Sequence, residues 1–145
     1  MIAVPSILQQ SFISVGNLFI QNLVNGFGSS VIAGYSAAVK LNTFALTSFT
    51  ALSNSLSSFT AQNIGAGKPE RVKRGFRSGL IMALLVALPF TAVYCFLSSG
   101  VLTLFMDTAS VQAMQAGTDF LRIVTPFYLF IAVKLMADGI LRGAG

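Results

Sequence analysis

The sequence contains no histidine and no tryptophan, a single cysteine, and only four acidic residues in 145. Charged residues make up 9% of the chain, whereas a soluble domain carries about 25%. So little charge cannot clothe a surface that faces water. Without histidine there is no His-based metal site and no Ser-His-Asp or Cys-His catalysis. The lone Cys95 lies in an apolar run and cannot form an intrachain disulfide. Acid pairs and reactive thiols are missing too, so an enzyme is not expected. The same inventory predicts no metal and no cofactor.

What is present is apolar and arranged in long runs. Hydrophobic residues account for 54% of the sequence, and the mean hydropathy is +0.79. No charge precedes Lys40. The run 5–27 makes a helix roughly 33 Å long at 1.5 Å per residue, enough to cross a bilayer. Further helices are expected at about 31–62, 78–99 and 120–141. Asn25-Gly26-Phe27-Gly28-Ser29-Ser30 separates the first two, and Gly65, Gly67 and Pro69 close the second. Pro89 predicts a kink, and Asp107 an N-cap. The predicted fold class is therefore all-α integral membrane, with four transmembrane helices. A cleaved signal peptide does not explain the first run, which lacks a basic n-region and is too long.

Net charge is +5, yet five of the nine basic residues fall within positions 68–77. The aromatic residues elsewhere sit in apolar runs rather than beside basic ones, so no nucleic acid is expected. The cluster reads as a cytoplasmic loop, 63–77, of a multi-pass protein of the plasma membrane. Four crossings put both termini and Arg142 on that side, with the 26–30 turn and the 100–118 segment outside.

Within that loop, Gly65-Ala66-Gly67-Lys68 invites comparison with a phosphate-binding loop. The fit fails: Gln62 stands where the first Gly of G-x-x-x-x-G-K-[ST] belongs, and Pro69 replaces the hydroxyl residue. A helix end closed by Gly, with Pro and a basic helix start beyond it, accounts for the segment.

Polar residues on the helices are periodic. Gln10, Ser14, Asn17, Gln21 and Asn25 recur at steps of four and three, along one face of the first helix. Ser36, Lys40, Thr43, Thr47, Thr50, Asn54 and Ser57 do the same on the second. Such stripes are expected to face other helices or water, since lipid offers no hydrogen bonds. Ser and Thr also serve close helix packing, whereas Gln and Asn favour cavity lining. Lys40 would lie about 13 Å from the outer turn, beyond easy snorkelling. Lys134, Asp138 and Arg142 follow at i, i+4 and i+8, spacing that permits a ladder of alternating charge. The candidate cavity residues are thus Gln10, Ser14, Asn17, Gln21, Lys40, Thr43, Lys134 and Asp138.

The stretches "PSILQQSFISVGNLFIQNLVNGFGSSVIAGYSAAVK", "SFTAQNIGAGKPERVKRG" and "LRIVTPFYLFIAVKLMADGILRGAG" resemble the MATE family of multidrug and toxic-compound extrusion transporters. The most specific parts are Q-N-x-G-A-G-K-x-x-R, carried by Gln62, Asn63, Gly65, Gly67, Lys68 and Arg71, and the terminal L-R-G-A-G. The resemblance implies a fragment, residues 1–145 being a partial C-terminal lobe: the first four helices of the second six-helix lobe of a twelve-helix, two-lobe transporter. It further implies an antiporter that exports cationic or amphipathic compounds by alternating access, driven by Na⁺ or H⁺. Its partners would be the bilayer, the remaining helices with the N-terminal lobe, and a small substrate. Branches of the family carry acids near positions equivalent to Ile13 and Ile131. Neither region has one here, so the coupling ion is expected to bind mainly outside this chain. A flippase for lipid-linked oligosaccharides, of related architecture, and a small membrane assembly subunit are the alternative readings.

Overall fold

The computed structural model describes residues 3–106 and 110–145; among them there are helices and turns but no strand. Helix α1 (Ala3–Asn25) leads through a short turn into α2 (Ser29–Gly65), then α3 (Pro69–Phe96) and the short α4 (Ser98–Leu102). Helix α5 (Val111–Val124) continues through a 3-10 turn (Thr125–Phe127) into α6 (Tyr128–Ala144). The segments α3 and Val111–Ala144 are long and apolar enough to span a membrane. The amides and hydroxyls of α1 and α2 lower their hydropathy. Even so, α2, with 37 residues, extends roughly 55 Å, well beyond a hydrocarbon core of about 30 Å.

Helix boundaries depart from expectation in three places. The loop expected at 63–77 shrinks to 66–68, because α2 runs on to Gly65 and α3 starts at Pro69. Gln62, Asn63 and Gly65 thus belong to α2, and Arg71 to α3. The basic residues are solvated helix rather than loop; Pro69 occupies the first turn, where its missing N–H costs nothing, and Glu70 beside it suits the helix dipole. The last rod is longer than 120–141, since α5 already starts at Val111 and continues through a 3-10 turn that accommodates Pro126. The N-cap of α5 is Ser110, whose Oγ accepts from Ala113 N at 3.3 Å; Asp107 lies outside the described residues.

The 66–68 turn also decides the nature of the Gly-Ala-Gly-Lys segment. Gly67 adopts φ +67°, its N–H donates to Ile64 O at 2.9 Å, and Lys68 N–H donates to Asn63 O at 2.8 Å. This pair of bonds is a Schellman cap, which needs a left-handed residue after the helix. Those N–H groups are consumed by α2 itself and are not aimed at a phosphate.

Helix α2 is the central post. Its neighbours α3, α5 and α6 pack around it, with α3 antiparallel to it and the α5–α6 rod parallel. The approach is close because glycines face backbone. A Cβ on Gly139 would lie 2.5 Å from Ser53 O, one on Gly143 would collide with Ser57 O, and one on Gly34 with Ala113 O. Where helices come this near, Ser53 Oγ donates across the seam to Leu135 O at 2.6 Å. This is the small-residue packing that holds helices together in lipid. At mid-height, Phe49, Phe90, Tyr94 and Tyr128 meet edge to face, with ring centroids 5.7 to 6.2 Å apart. Tyr94 Oη donates to Leu41 O at 3.1 Å and Tyr128 Oη to Asn42 Oδ1 at 2.9 Å, so the ring cluster ties α3 and α6 to α2.

If these seams hold the bundle, Gly139→Ala should overpack α2 against α6 and cost about 1–3 kcal/mol. Gly100→Ala, where nothing lies within 4 Å of the added carbon, should be nearly neutral. Thermal unfolding of the two variants in detergent measures the difference.

Candidate functional site

Beside the α2–α6 seam, α1 leans over a cavity of about 610 Å³. Gln10 and Ile13 of α1, Thr50 of α2, and Lys134, Asp138 and Arg142 of α6 are on its wall. Three of the cavity residues expected from sequence are brought together here: Gln10, Lys134 and Asp138. The other five are not. Ser14, Asn17 and Gln21 continue along α1 away from the cavity, and Lys40 and Thr43 lie nearer the opposite end of α2, all exposed. Lys40 is roughly 16 Å along α2 from Ser29.

The charges on α6 are arranged differently from a three-member ladder. Lys134 Nζ and Asp138 Oδ2 are 2.6 Å apart, closing one turn of helix. Arg142 turns instead toward α2, donating to Ser53 Oγ at 2.9 Å and Asn54 Oδ1 at 3.3 Å. Ser53 donates its own O–H to Leu135 O, so the guanidinium is fixed on a buried hydroxyl that is itself fixed. Sequence spacing predicts Lys134 with Asp138. It does not reveal Ser53 as the partner of Arg142, because that pairing depends on the register set by Gly139 and Gly143.

The hydroxyl stripe has a different character from the amides. Thr43, Thr47 and Thr50 each donate to the carbonyl four residues back, at 2.8 Å. Ser14 does the same to Gln10 O at 2.9 Å. These groups satisfy their donors within their own helix. In the cavity, polarity therefore comes from Gln10 and the α6 charges, with Thr50 offering acceptor lone pairs. Lys134 and Asp138 cancel, and Arg142 leaves the wall with one net positive charge. Among the described residues there is no group of three potential metal ligands.

Of the signature residues, Asn63 is buried and donates from Nδ2 to Phe59 O at 2.8 Å; Gly67 and Lys68 form the cap described above. They shape the end of α2 and do not reach the cavity.

A helical bundle with two bilayer-length apolar segments, close-packed through glycines, has the make-up of a membrane-protein segment. The MatE family model matches residues 5–145, and the chain belongs to the MATE family. It is 28% identical over 144 residues to the probable multidrug resistance protein YpnP of Bacillus subtilis, covering 99% of this chain and 32% of that protein. Probable multidrug resistance protein YoeA, from the same organism, is 22% identical over 144 residues, 99% of this chain and 31% of its own length. An FAD transporter of Shewanella oneidensis is 34% identical over 93 residues, 64% of this chain and 19% of that protein. The chain thus spans about a third or less of the relatives it matches. No solved structure matches it.

The pair on α6 should behave as a coupled unit. A double-mutant cycle with Lys134→Gln and Asp138→Asn, followed by unfolding in detergent, should give a coupling above the roughly 0.5 kcal/mol of a solvated i,i+4 pair. Additive effects would show that the two charges are separately solvated.

Proposed function

We propose that this chain forms the first four helices of the C-terminal lobe of a two-lobe efflux transporter, and that the cavity between α1, α2 and α6 is part of its substrate path. The observation that supports this best is the convergence of Gln10, Thr50, Lys134 and Asp138 in one cleft of a lipid-facing bundle. Family membership favours export over the flippase and assembly-subunit readings. On this reading four helices cross the plasma membrane, with the 66–77 end cytoplasmic and the Gly26–Gly28 turn outside, as the Lys/Arg bias requires.

Alternating access has a structural basis in the way α1 is held. It packs lightly, chiefly on α2, and leads into a turn in which Gly28 takes φ +92°. Its polar stripe and its large apolar residues, Phe12, Leu18 and Phe19 among them, are all exposed. Those faces are covered by the rest of the transporter, and α1 can move with it relative to the α2–α6 seam. Such motion opens or closes the cleft at Gln10. Ile13 is on this wall, so an acid for Na⁺ or H⁺ coupling is supplied from elsewhere in the complete protein. The substrate is a small amphipathic compound. A cationic one would need negative charge from outside this chain, whereas the net positive wall suits an anion. That observation, with the similarity to an FAD transporter, favours an anionic amphiphile as the second reading.

The complete polypeptide carrying this chain, reconstituted in proteoliposomes under a Na⁺ or H⁺ gradient, should expel a cationic dye. Lys134→Met and Asp138→Asn should each slow efflux at least about threefold, by leaving the partner charge uncompensated. Efflux of FAD in place of the dye would establish the anionic reading, and unaltered efflux in both variants would remove the cleft from the path.

Sidedness is tested separately. Single cysteines at Ser29 and Ser78, in a Cys95→Ser background, should react with an impermeant maleimide from outside at 29 and not at 78. The reverse pattern would invert the orientation.

A further inference from the structure

A larger cavity, about 720 Å³, opens on the other flank of α2, where its last turns face the first turns of α3. Its floor is apolar, formed by Leu52, Leu56 and Phe59 of α2 and Met82 of α3, and its mouth carries Arg71 and Arg74. The trough exists because α3 presents Gly75 and Gly79 there. The Phe59 ring occupies the space that a Cβ on Gly75 would need, and Leu56 packs over Gly79.

The charge at the mouth is not neutralised locally. Glu70, the acid of the same turn, is held by Lys73 at 3.2 Å. Among the described residues neither Arg71 nor Arg74 makes an ion pair, and both are exposed. Two guanidinium groups above an apolar trough are complementary to one kind of molecule, with an anionic head and an apolar tail. The dimensions agree: from Arg71 to Met82 α3 rises roughly 16 Å, close to one leaflet of a core about 30 Å thick.

We propose that this groove binds an anionic phospholipid, its phosphate between Arg71 and Arg74 and an acyl chain lying along Leu52, Leu56 and Met82. Arginine suits the headgroup because its planar donors meet phosphate oxygens in pairs. A free anion would leave the apolar floor in water. A covering protein helix would have to bury two uncompensated cations, which is costly. A phospholipid brings both the charge and the tail, and basic pockets between helices at the membrane surface commonly hold one. The inference rests on the membrane reading of the bundle and not on transport, so its failure would leave the efflux experiment untouched.

The test uses the complete protein in detergent, titrated with phosphatidylglycerol or phosphatidylcholine and followed by native mass spectrometry. Phosphatidylglycerol adducts should persist where phosphatidylcholine is stripped. Each arginine near an anionic group contributes roughly fivefold, so Arg71→Gln with Arg74→Gln should weaken retention roughly 30-fold. Lys68→Gln with Arg77→Gln removes the same charge outside the groove, leaves Glu70 held by Lys73, and should weaken it by less than about threefold. Ser78→Phe fills the trough without changing charge and should also abolish retention; Ser55→Phe, from the opposite wall, serves if that variant does not fold. Equal loss in both double variants would reduce the effect to general charge attraction and overturn the proposal. So would displacement by inorganic phosphate, or retention in the filled variants, since either would mean a headgroup-only site. A photo-crosslinker at position 78 that captures protein instead of lipid would show the groove covered by the rest of the transporter, and would likewise overturn it.

Discussion

In hydrocarbon, apolar side chains gain little by meeting one another, so helices associate through van der Waals contact and the hydrogen bonds that close approach allows. Along α2 both are supplied by missing side chains. Gly139 and Gly143 bring α6 against Ser53 and Ser57, and Gly34 lets the α2 backbone touch that of α5. This proximity brings Leu135 O within reach of Ser53 Oγ, and sets the register in which Tyr128 finds Asn42 and Arg142 finds Ser53. Separating the helices by the width of a methyl group would loosen each of these bonds. The cleft charges are therefore oriented by residues that make no polar contact themselves.

Helix α1 stands outside this arrangement. It has no comparable glycine seam with α2: nothing lies within 4 Å of a Cβ placed on Gly16. Its contacts with the bundle are slight, and from Gln10 to Leu23 every residue is exposed. The tight part of the molecule and the loosely held part face each other across the cleft. On the transport reading proposed above, the cleft needs such a boundary, because a site buried wholly within a close-packed seam could not change its access. A site wholly on a detached helix would lack the fixed charges that orient a substrate.

How much of this was legible in the sequence follows from the range of each interaction. Helix content and the i,i+4 pair Lys134–Asp138 depend on neighbours within one or two turns, and spacing reveals them. Helix α3 starts at Pro69 rather than at about 78: a run of basic residues after Gly67 and Pro69 resembles a loop, although Pro at a first turn followed by Glu70 is equally a helix start. The partners of Arg142 were not legible, since Ser53 and Asn54 lie on another helix whose register is tertiary information. A signal was nonetheless present in Gly139 and Gly143, whose four-residue spacing marks a packing face. The trough beside Arg71 and Arg74 was similarly hidden, as it requires Gly75 and Gly79 to oppose Phe59 and Leu56.

The polar stripes show where periodicity alone reads too much. Spacing alone implies that a hydroxyl on such a stripe needs a partner on another helix or in water. Thr43, Thr47 and Thr50 instead donate to carbonyls of their own helix, a local bond that any Ser or Thr in a helix can form. Their donors are thus silenced wherever the face points, and their spacing does not by itself locate a cavity. Amides and charges need a particular partner, as Asn63 finds in Phe59 O and Gln21 in Asn25. Lys134 and Asp138 neutralise each other, and Arg142 must reach across to α2. Where a back-bonded stripe meets unsilenced groups, at Thr50 beside Gln10 and α6, the helices enclose a polar space. Where it meets none, as at Thr47, the same residue type on the same helix face is compatible with lipid or with a neighbouring helix.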